Sequence, residues 1–195
     1  MIAATSLILP DFLGAIVETL MTAIEARDAD LRRHCERVAR SALQIALDLE
    51  LDRVAQHQIY LGALLHDIGN IGIPDSILLK PSALTSWEFD EMKLHSIIGE
   101  TICRPLPDLA LALPLIRSHH EKLDGTGYPD ALSGDQIGVA IRVLSVVDVY
   151  DTLRCERAYR DAFTHGQAIE ILHQEAERGW WDAQIVERFA ALNAS

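Results

Sequence analysis

Apolar residues recur at three- and four-residue intervals along most of this chain, a periodicity that builds amphipathic helices and leaves little room for a sheet. Phe12, Leu13, Ile16, Val17, Leu20 and Ile24 mark the first stripe and predict a helix over residues 11 to 27. A second pattern opens in the charged cluster from Glu25 to Arg33. It runs through Val38, Ala42, Ile45, Ala46 and Leu49, with His34 in its first turns. A third covers residues 52 to 66, with Ile59, Ala63 and His66 along one side, and Gly69 is placed to close it in the left-handed conformation. Thr85 to Glu88 spells a capping box for a helix continuing through Met92, His95, Ile98 and Ile102. Beyond Pro105 and Pro107 another helix is expected from about Asp108 to Glu121, then a glycine-rich turn segment over residues 124 to 135. Ser133 to Gln136 offers a capping box for a helix reaching Asp148 and Asp151. Thr164 to Gln167 caps one more, and Asp182 starts the last. Even the β-branched run from Ile141 to Val149 keeps helical spacing, so the expected architecture is an all-α bundle.

At 195 residues and 49% apolar content, the chain is long enough for one domain with a substantial core. Its net charge of −12 lacks the basic face that duplex nucleic acid requires. Pro, Asp or His interrupts every apolar stretch well short of the roughly 20 residues a membrane span needs. The N-terminus lacks the features of a secretory peptide, so the cytoplasm is the expected compartment. Cys35, Cys103 and Cys155 are odd in number and far apart, which predicts neither a disulfide framework nor a zinc ribbon.

Five of the eight histidines, His34, His66, His95, His119 and His120, fall near expected helix ends beside acids or beside each other. Asp67 follows His66 directly, and Asp148 lies on the inner stripe of an apolar helix, where an unpaired carboxylate is costly to bury and a cation removes the cost. Imidazole with carboxylate suits iron, manganese or zinc. These donors exceed the needs of one ion, whereas two ions sharing Asp67 use them all and would clamp a phosphate while activating water. Phosphoester hydrolysis is the reaction class that follows. His57, His165 and His173 read as ordinary surface or cap residues. Arg157 and Arg160, three residues apart, form a fork for a phosphate or else a solvated face, and Lys122 near His120 reads the same way. Trp180 and Trp181 read as the packing edge of the last helix.

The ordered elements His66-Asp67-Ile68-Gly69, His95, His119-His120-Glu121, Asp124-Gly125-Thr126-Gly127-Tyr128-Pro129 and Asp148-Val149-Tyr150-Asp151 resemble the HD-GYP family of helical phosphohydrolases. The resemblance implies an HD-type bundle with a GYP loop over residues 28–195, preceded by a lead-in helix over 1–27. It implies hydrolysis of cyclic di-GMP to pGpG, with GMP as the further product, by water held between two divalent ions, iron or manganese. The implied ligands are His34, His66, Asp67, His95, His119, His120 and Asp148, with Asp67 bridging and Asp151 supporting the shell. A third ion is implied at Asp30, one helical turn before His34, where Asp stands for the family's usual Glu. Tyr128, Arg157 and Arg160 match substrate-holding positions, and Lys122 joins them as a candidate. Cyclic di-GMP is the implied partner, with a diguanylate cyclase or other signalling protein, and a second copy of the chain, as further ones.

Two departures stand out. Asn70 occupies the place of the family's usual Lys, which puts it beside Asp67 among the candidate catalytic positions, and Ala158 replaces a proline. Loss of one charge-assisted contact to the transition state costs about 2 to 4 kcal/mol. The competing reading is therefore a catalytically weak sensor or docking module built on the same site.

Overall fold

Short polar residues start many of the helices. The computed structural model describes residues 11–156 and 161–193. Helix α1 (Asp11–Arg27) runs up to Asp28, whose carboxylate accepts the backbone N–H groups of Asp30 and Leu31 and so caps α2 (Ala29–Asp48). Asp52 caps α3 (Arg53–Leu65) in the same way. A 3-10 turn over Ile68–Gly72 leads to α4 (Asp75–Leu78), then α5 (Ser86–Lys93), α6 (His95–Cys103) and α7 (Leu113–Ser118). The chain ends in α8 (Val139–Arg154), α9 (His165–Glu177) and α10 (Ala183–Leu192). Among the described residues there is no strand, only an isolated bridge between Asp124 and Ser133, and no helix long and apolar enough to cross a membrane.

The bundle is organised around α8. It packs against α2, α3, α7, α9 and α10, and Ala140 to Asp148 are buried on nearly every side apart from Arg142. A helix surrounded by neighbours needs no polar face, which is why this segment carries the β-branched run that resembles a strand. Leu13, Val17, Met21 and Ile24 of α1 are buried in the same core as Val38, Ala42 and Ile45 of α2. Burial of a large aliphatic side chain contributes about 1.5–3 kcal/mol, so α1 is an energetic part of the bundle.

Four local expectations change. Gly69 does not close α3 in a left-handed conformation; it lies inside the 3-10 turn, where its missing side chain lets the backbone meet α6. The helix expected from Thr85 through Ile102 breaks at Leu94, although the Thr85–Glu88 capping box forms. The Met92 and Lys93 carbonyls there accept the side chains of His95 and Ser96, at 2.8 and 3.1 Å, in competition with the helical ladder. The helix expected from Asp108 is a 3-10 turn, Pro107–Leu109, followed by α7 from Leu113, because Pro114 lacks an N–H and is tolerated only in a first turn. The Ser133–Gln136 capping box likewise closes a 3-10 turn, and α8 starts five residues later than the box predicts.

Candidate metal centre

Three of the site's imidazoles are oriented by the same local device. His66 follows the last turn of α3, His95 opens α6 and His119 follows α7, and each Nδ1–H donates to the carbonyl three residues before it. The acceptors are Ala63, Met92 and Ile116, at 2.8, 2.8 and 3.0 Å. A carbonyl only accepts, so Nδ1 carries the hydrogen and Nε2 of each ring is the atom left to face the other donors. His34, in α2, is oriented instead by a carboxylate: its Nδ1 lies 2.7 Å from Asp151 Oδ2. Asp151 is held in turn by a two-pronged bond from Arg37, at 2.8 and 2.7 Å.

The rings converge. His34 and His66 centroids are 5.3 Å apart, His66 and His119 4.9 Å, His119 and His120 4.0 Å, and His95 and His120 5.1 Å. Donor atoms fall into two groups, His34–His66–Asp148 and Asp67–His95–His119–His120, and within each group all lie within 4.8 Å of one another. Asp67 faces both: its Oδ2 is 3.5 Å from His66 Nε2, and its Oδ1 is 3.4 Å from His95 Nε2 and 3.9 Å from His119 Nε2.

The donor set fits a cation for two structural reasons. His66 Nε2 is buried without a hydrogen-bond partner, and the Nε2 atoms of His95 and His119 face each other at 3.2 Å with their Nδ1 hydrogens already committed. At that distance the two nitrogens need a proton or a metal cation between or beside them. Protonation follows the same division. Burial, with the neighbouring rings, pushes His119 well below the usual imidazole range and His120 down to about 3, so both stay neutral donors. Burial acts against charge at His34 too, but its bonds to Asp148 and Asp151 raise it to about 10. At Asp148, burial is outweighed by the His34 bond and the His66 ring, which hold the carboxyl well below its ordinary value. At Asp151, burial is again outweighed, by His34 and Arg37, which bring it to about 2.

All seven residues expected as metal ligands therefore come together, in two adjoining donor groups. Asp30 does not join them: its side chain is 86% exposed and pairs with Arg33, and among the described residues no further metal-ligating group includes it. Lys122 is also turned to another use, with its ammonium 3.1 Å from the Trp180 ring centroid. Tyr128 lies at the flank of the site, its ring 4.7 Å from that of His120 and tilted by 31°. Asn70 is buried in the 3-10 turn beside Asp67. Arg157 and Arg160 lie outside the described residues.

Two supports escaped the sequence reading. Buried Glu121 accepts the backbone N–H groups of Asp130 and Leu132 at 2.6 and 3.0 Å, which ties the loop carrying Tyr128 to the segment carrying His120. Arg37 is the other, and its only sequence signal is its position one helical turn after His34. Arg37→Met is expected to weaken metal affinity roughly 10- to 100-fold, because Asp151 would lose its fixed orientation and with it the His34 ring. Chelator competition measures this, and an unmoved midpoint would show that Asp151 holds His34 unaided.

The fold and the converging donors define a helical domain with a candidate metal centre, and comparison with known proteins places it in a family. The HD domain profile matches residues 18–185, and the chain belongs to the HD domain family. Within it, the likeness to the HD-GYP branch that the motif order carries holds. A cyclic di-GMP phosphodiesterase of Thermotoga maritima is 36% identical over 184 residues, 93% of this chain and 50% of that protein. A 3'3'-cGAMP-specific phosphodiesterase of Vibrio cholerae is 34% identical over 181 residues, covering 93% of this chain and 38% of that one. An HDG"Y"P protein from Bdellovibrio bacteriovorus superposes with a TM-score of 0.69 at 19% identity, over 93% of this chain and 61% of the other, and so shares the fold. The chain spans half or less of the length of these curated relatives.

Proposed function

We propose that this chain is a metal-dependent phosphodiesterase that opens cyclic di-GMP to linear pGpG and continues to GMP. Two divalent ions, iron or manganese, would be held by His34, His66 and Asp148 on one side and by His95, His119 and His120 on the other, with Asp67 spanning them. The observation that carries this reading is the division of the two Asp67 oxygens between the two donor groups. A mixed imidazole and carboxylate set favours iron or manganese over magnesium or calcium. When bound, such a pair supplies Lewis acidity toward a phosphodiester and a nucleophile from water at neutral pH.

The chain's own residues do the rest. Asp67 and Asp148 set the spacing of the donors, and Asp151 with Arg37 keeps His34 in the ligating orientation. Tyr128 covers His120 and shields that flank from solvent, next to the place assigned to substrate. Arg157 and Arg160 are assigned to the phosphates, which a chain of net charge −12 must otherwise repel. Relatives named for cyclic di-GMP and for 3'3'-cGAMP support a cyclic dinucleotide. The cytoplasm is the compartment this reading implies.

Elemental analysis of protein purified without oxygen, with chromatography of the nucleotide products, tests the proposal. Bound ions without hydrolysis of any cyclic dinucleotide would reject it in favour of the docking-module reading, which Asn70 keeps in view. Asn70→Lys is expected to raise kcat roughly tenfold or more, since a charge-assisted contact to the transition state would be gained. An unchanged kcat would show that Asn70 does not limit turnover.

A further inference from the structure

The row of rings that begins at the donor cluster continues outward. Tyr128 lies on His120, and Phe89 of α5 meets Tyr128 edge-on, with centroids 6.3 Å apart and planes at 82°. Phe89 is 46% exposed, so this corner opens to solvent. Lys93, one turn further along α5, places its ammonium 4.8 Å from the Phe89 centroid and 5.8 Å from that of Tyr128. Asp90 accepts from that ammonium at 2.8 Å, which leaves two of its three hydrogens undirected. An aromatic face with a cation beside it, at the mouth of a phosphate-binding centre, has the chemistry to stack a base and to donate to its edge.

We infer that Phe89 and Lys93 form a base-recognition corner, with Phe89 stacking a purine of the substrate and Lys93 donating to the O6 and N7 acceptors of guanine. This rests on the cyclic-dinucleotide reading above. Adenine offers N7 but turns an amino group toward the donor where guanine has O6, so the corner distinguishes the two bases. It accounts for a feature the metal centre does not use, an ammonium held against the exposed Phe89 ring and the half-buried Tyr128 ring, two residues before the candidate ligand His95.

The test is carried out on the metal-loaded full chain. Hydrolysis of cyclic di-GMP, cyclic di-AMP and the base-free diester bis(p-nitrophenyl) phosphate is followed for wild type, Lys93→Met, Lys93→Arg and Phe89→Leu, with metal content measured in each. Lys93→Met is expected to lower kcat/KM for cyclic di-GMP about tenfold more than for the other two substrates, through KM, and Lys93→Arg to restore the preference. Phe89→Leu should weaken both dinucleotides relative to the base-free diester. An equal loss on all three substrates would make Lys93 a phosphate contact and overturn the inference, as would an unchanged guanine preference. A wild type that hydrolyses the base-free diester but no dinucleotide would overturn the proposed function, and this inference with it.

Discussion

Asp67→Ala is expected to lower hydrolysis at least a thousandfold and to bring bound metal below one ion per chain. The carboxylate faces both donor clusters, with Oδ2 toward His66 and Oδ1 toward His95 and His119. Its removal leaves each cluster one anionic donor short, although the packing of the helices still sets their separation. Stabilisation of transition-state charge by a metal pair is worth several kcal/mol, and about 4 kcal/mol corresponds to a thousandfold. Asp67→Asn separates charge from shape, because the amide oxygen keeps the geometry while the charge that favours cations is gone. Full metal content together with activity within tenfold of wild type in Asp67→Ala would rule out the bridging role. Since Asp67 follows α3 outside the apolar core, circular dichroism should stay native in both variants.

The second large effect concerns folding. Gly69→Ala is expected to destabilise the protein by about 3 kcal/mol or more, a fall in Tm on the order of 10 °C for a chain of this size. A Cβ at this position would come within 1.8 Å of the His95 carbonyl oxygen and 2.6 Å of the Gly99 nitrogen. Both are backbone atoms of α6, so neither can rotate away, and relief requires the whole helix to move. His95 opens that helix, so the shift would pull a candidate ligand out of the cluster, and metal affinity should fall together with Tm. Gly138→Ala serves as the control: nothing lies within 4 Å of the corresponding position, and its Tm should stay within a degree or two. A native Tm in Gly69→Ala would show that α6 adjusts more readily than a backbone contact allows.

Much of this protein was legible in one dimension. Caps and apolar spacing located most helices, because both signals act within a few residues and need no tertiary partner. Thr85, Thr164 and Asp182 cap as expected, and the structure adds Asp28 and Asp52 as caps of the same kind. The candidate ligands were legible because imidazoles and carboxylates are conspicuous beside helix ends. Where the reading failed, a side chain had another use for a backbone group. His95 and Ser96 take carbonyls at the expected middle of a helix, and Pro114 sets a later start for α7. Gly69 was read as a turn-former, although its need for no side chain comes from a helix about 25 residues away in the chain.

Periodicity, capping residues and the order of His and Asp along the chain thus determined the all-α class and pointed to the seven candidate donors, since each depends on local chemistry. The tertiary structure alone decided how those candidate donors divide, which oxygen of Asp67 faces which cluster, that Arg37 holds Asp151 and Glu121 holds the Tyr128 loop, and that Asp30 pairs with Arg33 and Lys122 lies on Trp180. Most of those are distances between elements remote in sequence, and they are set by how α2, α3, α6, α7 and α8 pack. No local rule encodes them.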